Sequence, residues 1–305
     1  KTLLSHEWYF VAASFDAETR TVRLLQEPLH HHVGTRDAAR KNAKSKYAPA
    51  MAHGDPLIMG ACFQMFDKGR TACAQHYNGK IDSPRISARA LSDTALQAFK
   101  AQRLSGTLVP DLVAAWDFGA DITSVTAFDT SPNRLHGRLV NMPVRGMTGW
   151  NWNGEEMCWR HAPEQYGAIH FHDDDIHDAG WQVDVSLTVP KNLKSGLYAA
   201  RLRCGDELDD EDYVPFAILP PRGKTTAKIC FLLPTASYMA YANEHLANNA
   251  GGAELLVYRV PIMQHQNMFL SEHREYGGSI YDTHTDGSGL CLSSRLRPIL
   301  SLSLI

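Results

Sequence analysis

A two-residue hydrophobic period returns again and again between residues 7 and 220, and it limits what this chain can fold into. Side chains on a strand point alternately to opposite faces, so such alternation marks half-buried strands. Trp181 to Pro190 (WQVDVSLTVP) alternates apolar and polar residues, and Ser195 to Leu202 (SGLYAARL) reads as its hairpin partner after a Lys-Asn-Leu-Lys turn. Tyr213 to Pro220 (YVPFAILP) reads as the last strand of that set. Upstream, Glu7 to Asp16 (EWYFVAASFD) ends in an acidic turn and Thr21 to Gln26 returns, which predicts a hairpin. Leu57 to Cys62, the segment after Asn78-Gly79, Val113 to Phe118 and Leu139 to Asn141 are further expected strands. Leu91 to Phe99 breaks the period and reads as a short helix with Ser92 as N-cap.

The pattern changes at Thr226. Ile229 to Leu233 is an apolar run suited to a buried strand, and Pro234 ends it because proline cannot donate to a ladder. Tyr238 and Tyr241 follow three apart, and Met239 to Asn249 reads as a helix before Gly251-Gly252. Leu255 to Tyr258 is a short strand or turn, and a glycine-rich stretch from Tyr276 to Gly289 carries Tyr281, Asp282, His284 and Asp286. Strand, helix and glycine-rich loop in this order predict the opening of an α/β domain, where ligands gather at the carboxyl ends of strands. The expected fold class is therefore mainly β with α/β, in three domains: 1–104, 105–223 and 224–305.

Composition narrows the function. A length of 305 residues allows two or three domains, and 44% hydrophobic with 21% charged residues is ordinary for a globular chain with a core. The net charge of -3 argues against a nucleic-acid binder. No run of about 18 apolar residues occurs, so no membrane span is expected. Six cysteines without a CxxC pair read as reduced thiols in a cytoplasmic setting. Lys1 in place of Met and the apolar tail ILSLSLI after Pro298 lead us to expect a piece of a longer chain.

Three clusters carry chemistry-bearing side chains. His30-His31-His32 sits in a basic stretch without Cys or Glu at ligand spacing, and reads as a solvated loop. His170, His172, Asp173, Asp174, Asp175 and His177 form the densest set of metal-ligating types, suited to zinc or iron. No glutamate or third histidine follows at a telling distance, so the loop reading is preferred. Trp150, Trp152 and Trp159 are either aromatic packing under loops or a ligand or subunit surface. The spacing of Tyr238 and Tyr241 alone reads as one core-facing side of a helix.

Longer motifs resemble known families. Trp8 to Asp16, then GKID at 79–82 running on to ALSDTAL at 90–96, resembles a laminin G or concanavalin A-like jelly-roll sandwich. The 181–202 pair resembles a hairpin of an immunoglobulin-like sandwich. FLLPTASYMAYANEH (231–245), GGSIYDTHTDGSG (277–289) and SSRLRP (293–298) resemble the large (beta) subunit family of N,N-dimethylformamidase. That resemblance implies an amidohydrolase cleaving the C–N bond of N-substituted formamides, N,N-dimethylformamide giving dimethylamine and formate. It implies a mononuclear non-haem iron, ferric, bound by two tyrosines and a glutamate. Tyr241 and Tyr281 match the tyrosines, Tyr238 is the reserve for the first, and no glutamate follows Tyr281. A phenolate is a hard anionic donor suited to a hard Lewis acid, which can polarise an amide carbonyl or acidify a bound water. Asp282 and His284 are candidates to orient that water or pass a proton. The implied partners are a small (alpha) subunit, further large subunits and a small-molecule amide substrate. The alternative is a non-catalytic β-sandwich protein binding glycans or a partner through the tryptophans.

Overall fold

Alternation becomes sheet wherever a partner strand lies within reach. The computed structural model describes residues 1–30, 37–48, 54–67, 70–101, 111–204, 211–225, 227–245, 258 and 265–300. Two compact units emerge: residues 1–179 with 239–305, and residues 180–238.

In the first unit, β1 (Tyr9–Asp16) and β2 (Thr21–Pro28) form the expected hairpin, paired antiparallel from Tyr9 opposite Pro28 to Asp16 opposite Thr21. Asp16 shapes the turn by accepting the Thr19 backbone N–H at 2.8 Å. A third strand, β3 (Ala39–Lys44), adds to β2. The pair β4 (Cys62–Asp67) and β5 (Arg70–Ala74) stands as its own two-stranded sheet. Residues 57–61 are irregular, so the strand expected at 57–62 begins only at Cys62. Next come β6 (Gly79–Asp82), β7 (Arg85–Ser87) and α1 (Asp93–Ala101). Ser92 caps α1 as expected, its Oγ accepting the Ala95 N–H at 3.2 Å. Asp93 pairs with Arg40 at 2.7 Å, and Glu27 pairs with Lys100 at 2.9 Å, so charged rims tie the helix to the first sheet.

The core of this unit forms around β8 (Leu112–Asp117), β9 (Thr126–Asp129), β10 (Gly137–Arg138), β11 (Val144–Met147) and β12 (Ala168–Phe171). Two sheets result, ordered β10-β9-β8-β7 and β11-β12-β6. Ala114, Trp116, Phe118, Ala127 and Ile169 are buried together, with Ile81, Ile86 and Phe171 packed against them. The Trp116 indole donates to the Leu135 carbonyl at 2.9 Å, which satisfies its polar edge inside the core. The strand expected at 139–141 is replaced by the two-residue β10, and residues 139–141 continue irregularly.

In the second unit, β13 (Gly196–Arg203) pairs antiparallel with β14 (Glu211–Ile218) over eight residue pairs. This corrects the expected hairpin: residues 181–190 form no strand, and Val183 and Val185 are 81% and 84% exposed. Alternation tells which face a side chain takes but not which strand supplies the ladder. The apolar run at 229–233 is also irregular, with Phe231 and Leu232 exposed. It is apolar enough for a strand, yet none of the described residues pairs with its backbone in a ladder. Among the described residues after Ile218 the regular elements are helical: α2 (Thr235–Tyr241) and α3 (His265–Glu272), followed by a 3-10 turn at Arg274–Tyr276. The helix expected over 239–249 thus starts four residues early and ends at Tyr241, and residues 246–249 lie outside the described ones. His31, His32 and residues 255–257 lie outside them too.

Candidate functional site

The C-terminal segment of the first unit is organised by one asparagine. Asn243 ends α2 in the left-handed region (φ 59), a conformation asparagine tolerates better than most residues. Its side chain is fully buried and donates to the carbonyls of Gly277 (3.1 Å) and Pro298 (2.7 Å), while its Oδ1 accepts the Leu300 N–H (2.8 Å). Arg297 adds bonds to the carbonyls of Ala242 and Tyr276, both at 3.3 Å. The Ile280 N–H reaches the Ala240 carbonyl at 3.1 Å. These contacts draw residues 276–281 back onto the end of α2.

Tyr241 and Tyr281 meet as a result. Their rings stack with centroids 4.4 Å apart and planes 23° apart, and Tyr281 stays 55% exposed. The hydrogen bond between the two phenols, together with their mutual charge repulsion, raises the Tyr241 pKa above the usual tyrosine value. A cation bound at the Tyr241 oxygen would favour its ionised form instead. Tyr238, half-buried one turn earlier on α2, is not part of this stack.

Asp282 and His284 follow Tyr281 and face other partners. The Asp282 carboxylate accepts the backbone N–H groups of Ser279 (2.9 Å) and His245 (3.0 Å) and meets the His245 Nδ1 at 3.1 Å. Burial works against its charge, but these donors outweigh it and keep Asp282 below the usual carboxylate range. The same contact, aided by the Leu270 carbonyl at the other ring nitrogen (3.0 Å), raises the His245 pKa despite burial. His284 is buried, with Nδ1 2.5 Å from Asp174. Burial disfavours its charge, yet Asp174 and the neighbouring carboxylates raise its pKa.

Around His284 the structure builds a cluster larger than the sequence suggested. The ring of His284 stacks on His172 at 3.6 Å and 3°, and His172 lies 4.1 Å from His170. His170 Nε2 is 2.8 Å from Asp286, while His172 Nδ1 faces Asp175 at 3.3 Å. Two donor sets converge, each with its atoms within 4.8 Å of one another: His170, His172 and Asp286, and His172, Asp175 and His284. His177 belongs to neither. Burial resists the Asp286 charge, but the Ser288 hydroxyl and N–H and both histidines bring its pKa down to about 2. Sequence reasoning noted Asp286 without giving it a role and assigned none to His245. One signal was present: His284-Thr285-Asp286 repeats the two-residue spacing of His170-Phe171-His172.

The tryptophans serve loop packing in part. Trp152 donates to the Glu156 carbonyl at 3.0 Å, and Arg160 lies over Trp159 at 4.7 Å. Trp152 keeps 36% of its surface exposed.

Residues 144–303, just over half of the chain, match the family model described as N,N-dimethylformamidase beta subunit-like, C-terminal. The chain belongs to the N,N-dimethylformamidase beta subunit-like family. Two curated relatives bear the name N,N-dimethylformamidase beta subunit. The one from Paracoccus aminophilus is 38% identical over 319 residues, and the one from Alcaligenes sp is 37% identical over 320. Each alignment covers 99% of this chain and 41% of the relative, so the chain spans about two fifths of their length. The matched region of the family model contains both tyrosines and the whole histidine–aspartate cluster. No helix among the described residues is long and apolar enough to cross a membrane.

Proposed function

We propose that this chain is part of the large subunit of an amidohydrolase that cleaves the C–N bond of N-substituted formamides, with Tyr241 and Tyr281 as two ligands of a mononuclear iron. The observation that carries this reading is the stacked tyrosine pair, formed from residues 40 positions apart, inside a chain of the dimethylformamidase family. The donor set fits the metal: two adjacent phenol oxygens suit a hard ferric ion. When bound, iron supplies Lewis acidity toward an amide carbonyl or a water. The chain's own residues set the stage. Tyr241 is held by α2, and Tyr281 by the Asn243 and Asp282 contacts. The exposed side of Tyr281 leaves room for a small uncharged amide. Asp282, paired with His245, and His284, paired with Asp174, fix the course of the segment that follows Tyr281. Tyr238 is the reserve ligand, and a small subunit is the partner this reading implies, in keeping with relatives named as a beta subunit. A laminin G-like sandwich in residues 1–104 and a cytoplasmic setting belong to the same reading, the latter supported by six free cysteines.

The test adds ferric iron to the purified chain and follows phenolate-to-iron charge transfer in the visible. The band is expected to weaken strongly in Tyr241→Phe and in Tyr281→Phe and to persist in Tyr238→Phe. A band indifferent to the first two substitutions refutes the assignment. Release of dimethylamine and formate from N,N-dimethylformamide by the assembled subunits tests the reaction.

A further inference from the structure

We propose that His170, His172 and Asp286 form a divalent transition-metal site of the zinc class, which locks the tyrosine-bearing segment onto β12. It uses no tyrosine and so stands or falls apart from the iron reading.

The distances suit such an ion. Zinc with nitrogen and oxygen ligands at about 2.0–2.2 Å has ligand atoms roughly 3.3–3.5 Å apart in a tetrahedron. The Asp286 Oδ2 lies 2.8 Å from His170 Nε2 and 3.8 Å from His172 Nε2, which brackets that spacing. The histidines sit at one end of β12, and Asp286 comes from a turn 116 residues downstream of His170. Imidazole and carboxylate are the donors zinc takes in sites that keep an open position.

An outer partner is already in place. Asp175 holds the far nitrogen of His172, with both carboxylate oxygens 3.3 Å from Nδ1, and also accepts the His172 backbone N–H at 3.0 Å. A carboxylate behind a histidine fixes the tautomer that points Nε2 at the metal.

Ser288 holds the two facing ligands in place. Its oxygen lies 2.6 Å from Asp286 Oδ1 and 3.0 Å from His172 Nε2, so the carboxylate and the imidazole nitrogen are already turned toward one point. The His172 ring is 1% exposed and stacked on His284, which fixes its orientation there.

The experiment strips the purified chain with a chelator and titrates it with Co(II), whose d–d absorption reports four-coordinate binding; Zn(II) then competes. One Co(II) per chain is expected, displaced by Zn(II) and retained in the Tyr241→Phe/Tyr281→Phe double variant. Binding should vanish in His172→Gln and in Asp286→Asn, and weaken about 10–100-fold in Asp175→Asn. Asp286 is 24% exposed, so its near-isosteric replacement leaves the fold intact, checked by near-UV circular dichroism. Three results overturn the proposal: no stoichiometric binding by the unsubstituted chain, affinity unchanged in both His172→Gln and Asp286→Asn, or loss of the ion in the tyrosine double variant. The first would leave three hydrogen-bonded histidine–aspartate pairs and no metal.

Discussion

Asp129→Asn changes one oxygen to nitrogen on a side chain with no exposed surface. Its Oδ1 accepts the backbone N–H groups of Ala115 and Ser131, both at 2.8 Å. Its Oδ2 accepts the Leu135 N–H and the Ser131 hydroxyl, both at 2.7 Å. Four donors therefore converge on one carboxylate, which shapes the turn carrying Leu135, the acceptor of the Trp116 indole. An asparagine amide presents two donors where one oxygen stood. The milder orientation places them at Oδ2, because the Ser131 hydroxyl can turn to the Val113 carbonyl at 3.2 Å. The Leu135 N–H is then orphaned, and a charge-assisted bond to Ser131 is lost. At about 1.5–3 kcal/mol per bond to a charged group, less the rearranged serine, the cost is about 2–4 kcal/mol. With a slope of about 2 kcal/mol per molar urea, the unfolding midpoint should fall by about 1–2 M. pH supplies the second arm. Burial opposes the Asp129 charge, but the four donors outweigh it and depress the folded pKa below the ordinary 3.8. Its stability contribution is thus complete above pH 3.8 and disappears as pH falls through the lower folded value. The two stability curves should stand apart near neutrality and converge in acid. A shift below about 0.5 kcal/mol, or a difference that persists unchanged into strong acid, refutes the argument.

Gly277→Ala should destabilise the first unit by about 1–3 kcal/mol, read by thermal unfolding, because φ is +75 and a Cβ would strike Arg297 and come within 2.7 Å of Ile176. Arg145→Lys should cost about 2–4 kcal/mol in urea, since the guanidinium fork reaches the carbonyls of Phe118, Ala120, Asp121, Ser124 and Thr126 and an ammonium cannot span them. Asn243→Asp turns a carboxylate oxygen toward the carbonyls of Gly277 and Pro298; about 2–4 kcal/mol of lost stability and faster proteolysis between residues 276 and 300 are expected. An Asn243→Asp chain as resistant as the parent would show that the hub is dispensable.

Some of this protein was legible because the forces involved are local. The β1–β2 hairpin is fixed by alternation and the Asp16 turn, and α1 by the Ser92 cap; every determinant lies within a few residues. The strand at 112–117 announces itself by apolar content alone. The misread segments are equally instructive. Residues 181–190 alternate as well as any strand here, and 229–233 are as apolar, yet neither pairs in a ladder among the described residues. A strand needs hydrogen-bonding partners from elsewhere in the chain, and periodicity does not name them. The site depends on the same non-local choice. Residue types marked His170 and His172 as capable of chemistry, and the family resemblance singled out Tyr241 and Tyr281. Their convergence came from tertiary structure: the left-handed Asn243 that folds 276–281 onto α2, and the packing that brings Asp286 against β12 across 116 residues. Side-chain chemistry is a property of each residue, whereas shared ligand geometry is a property of distances that only the packed chain sets.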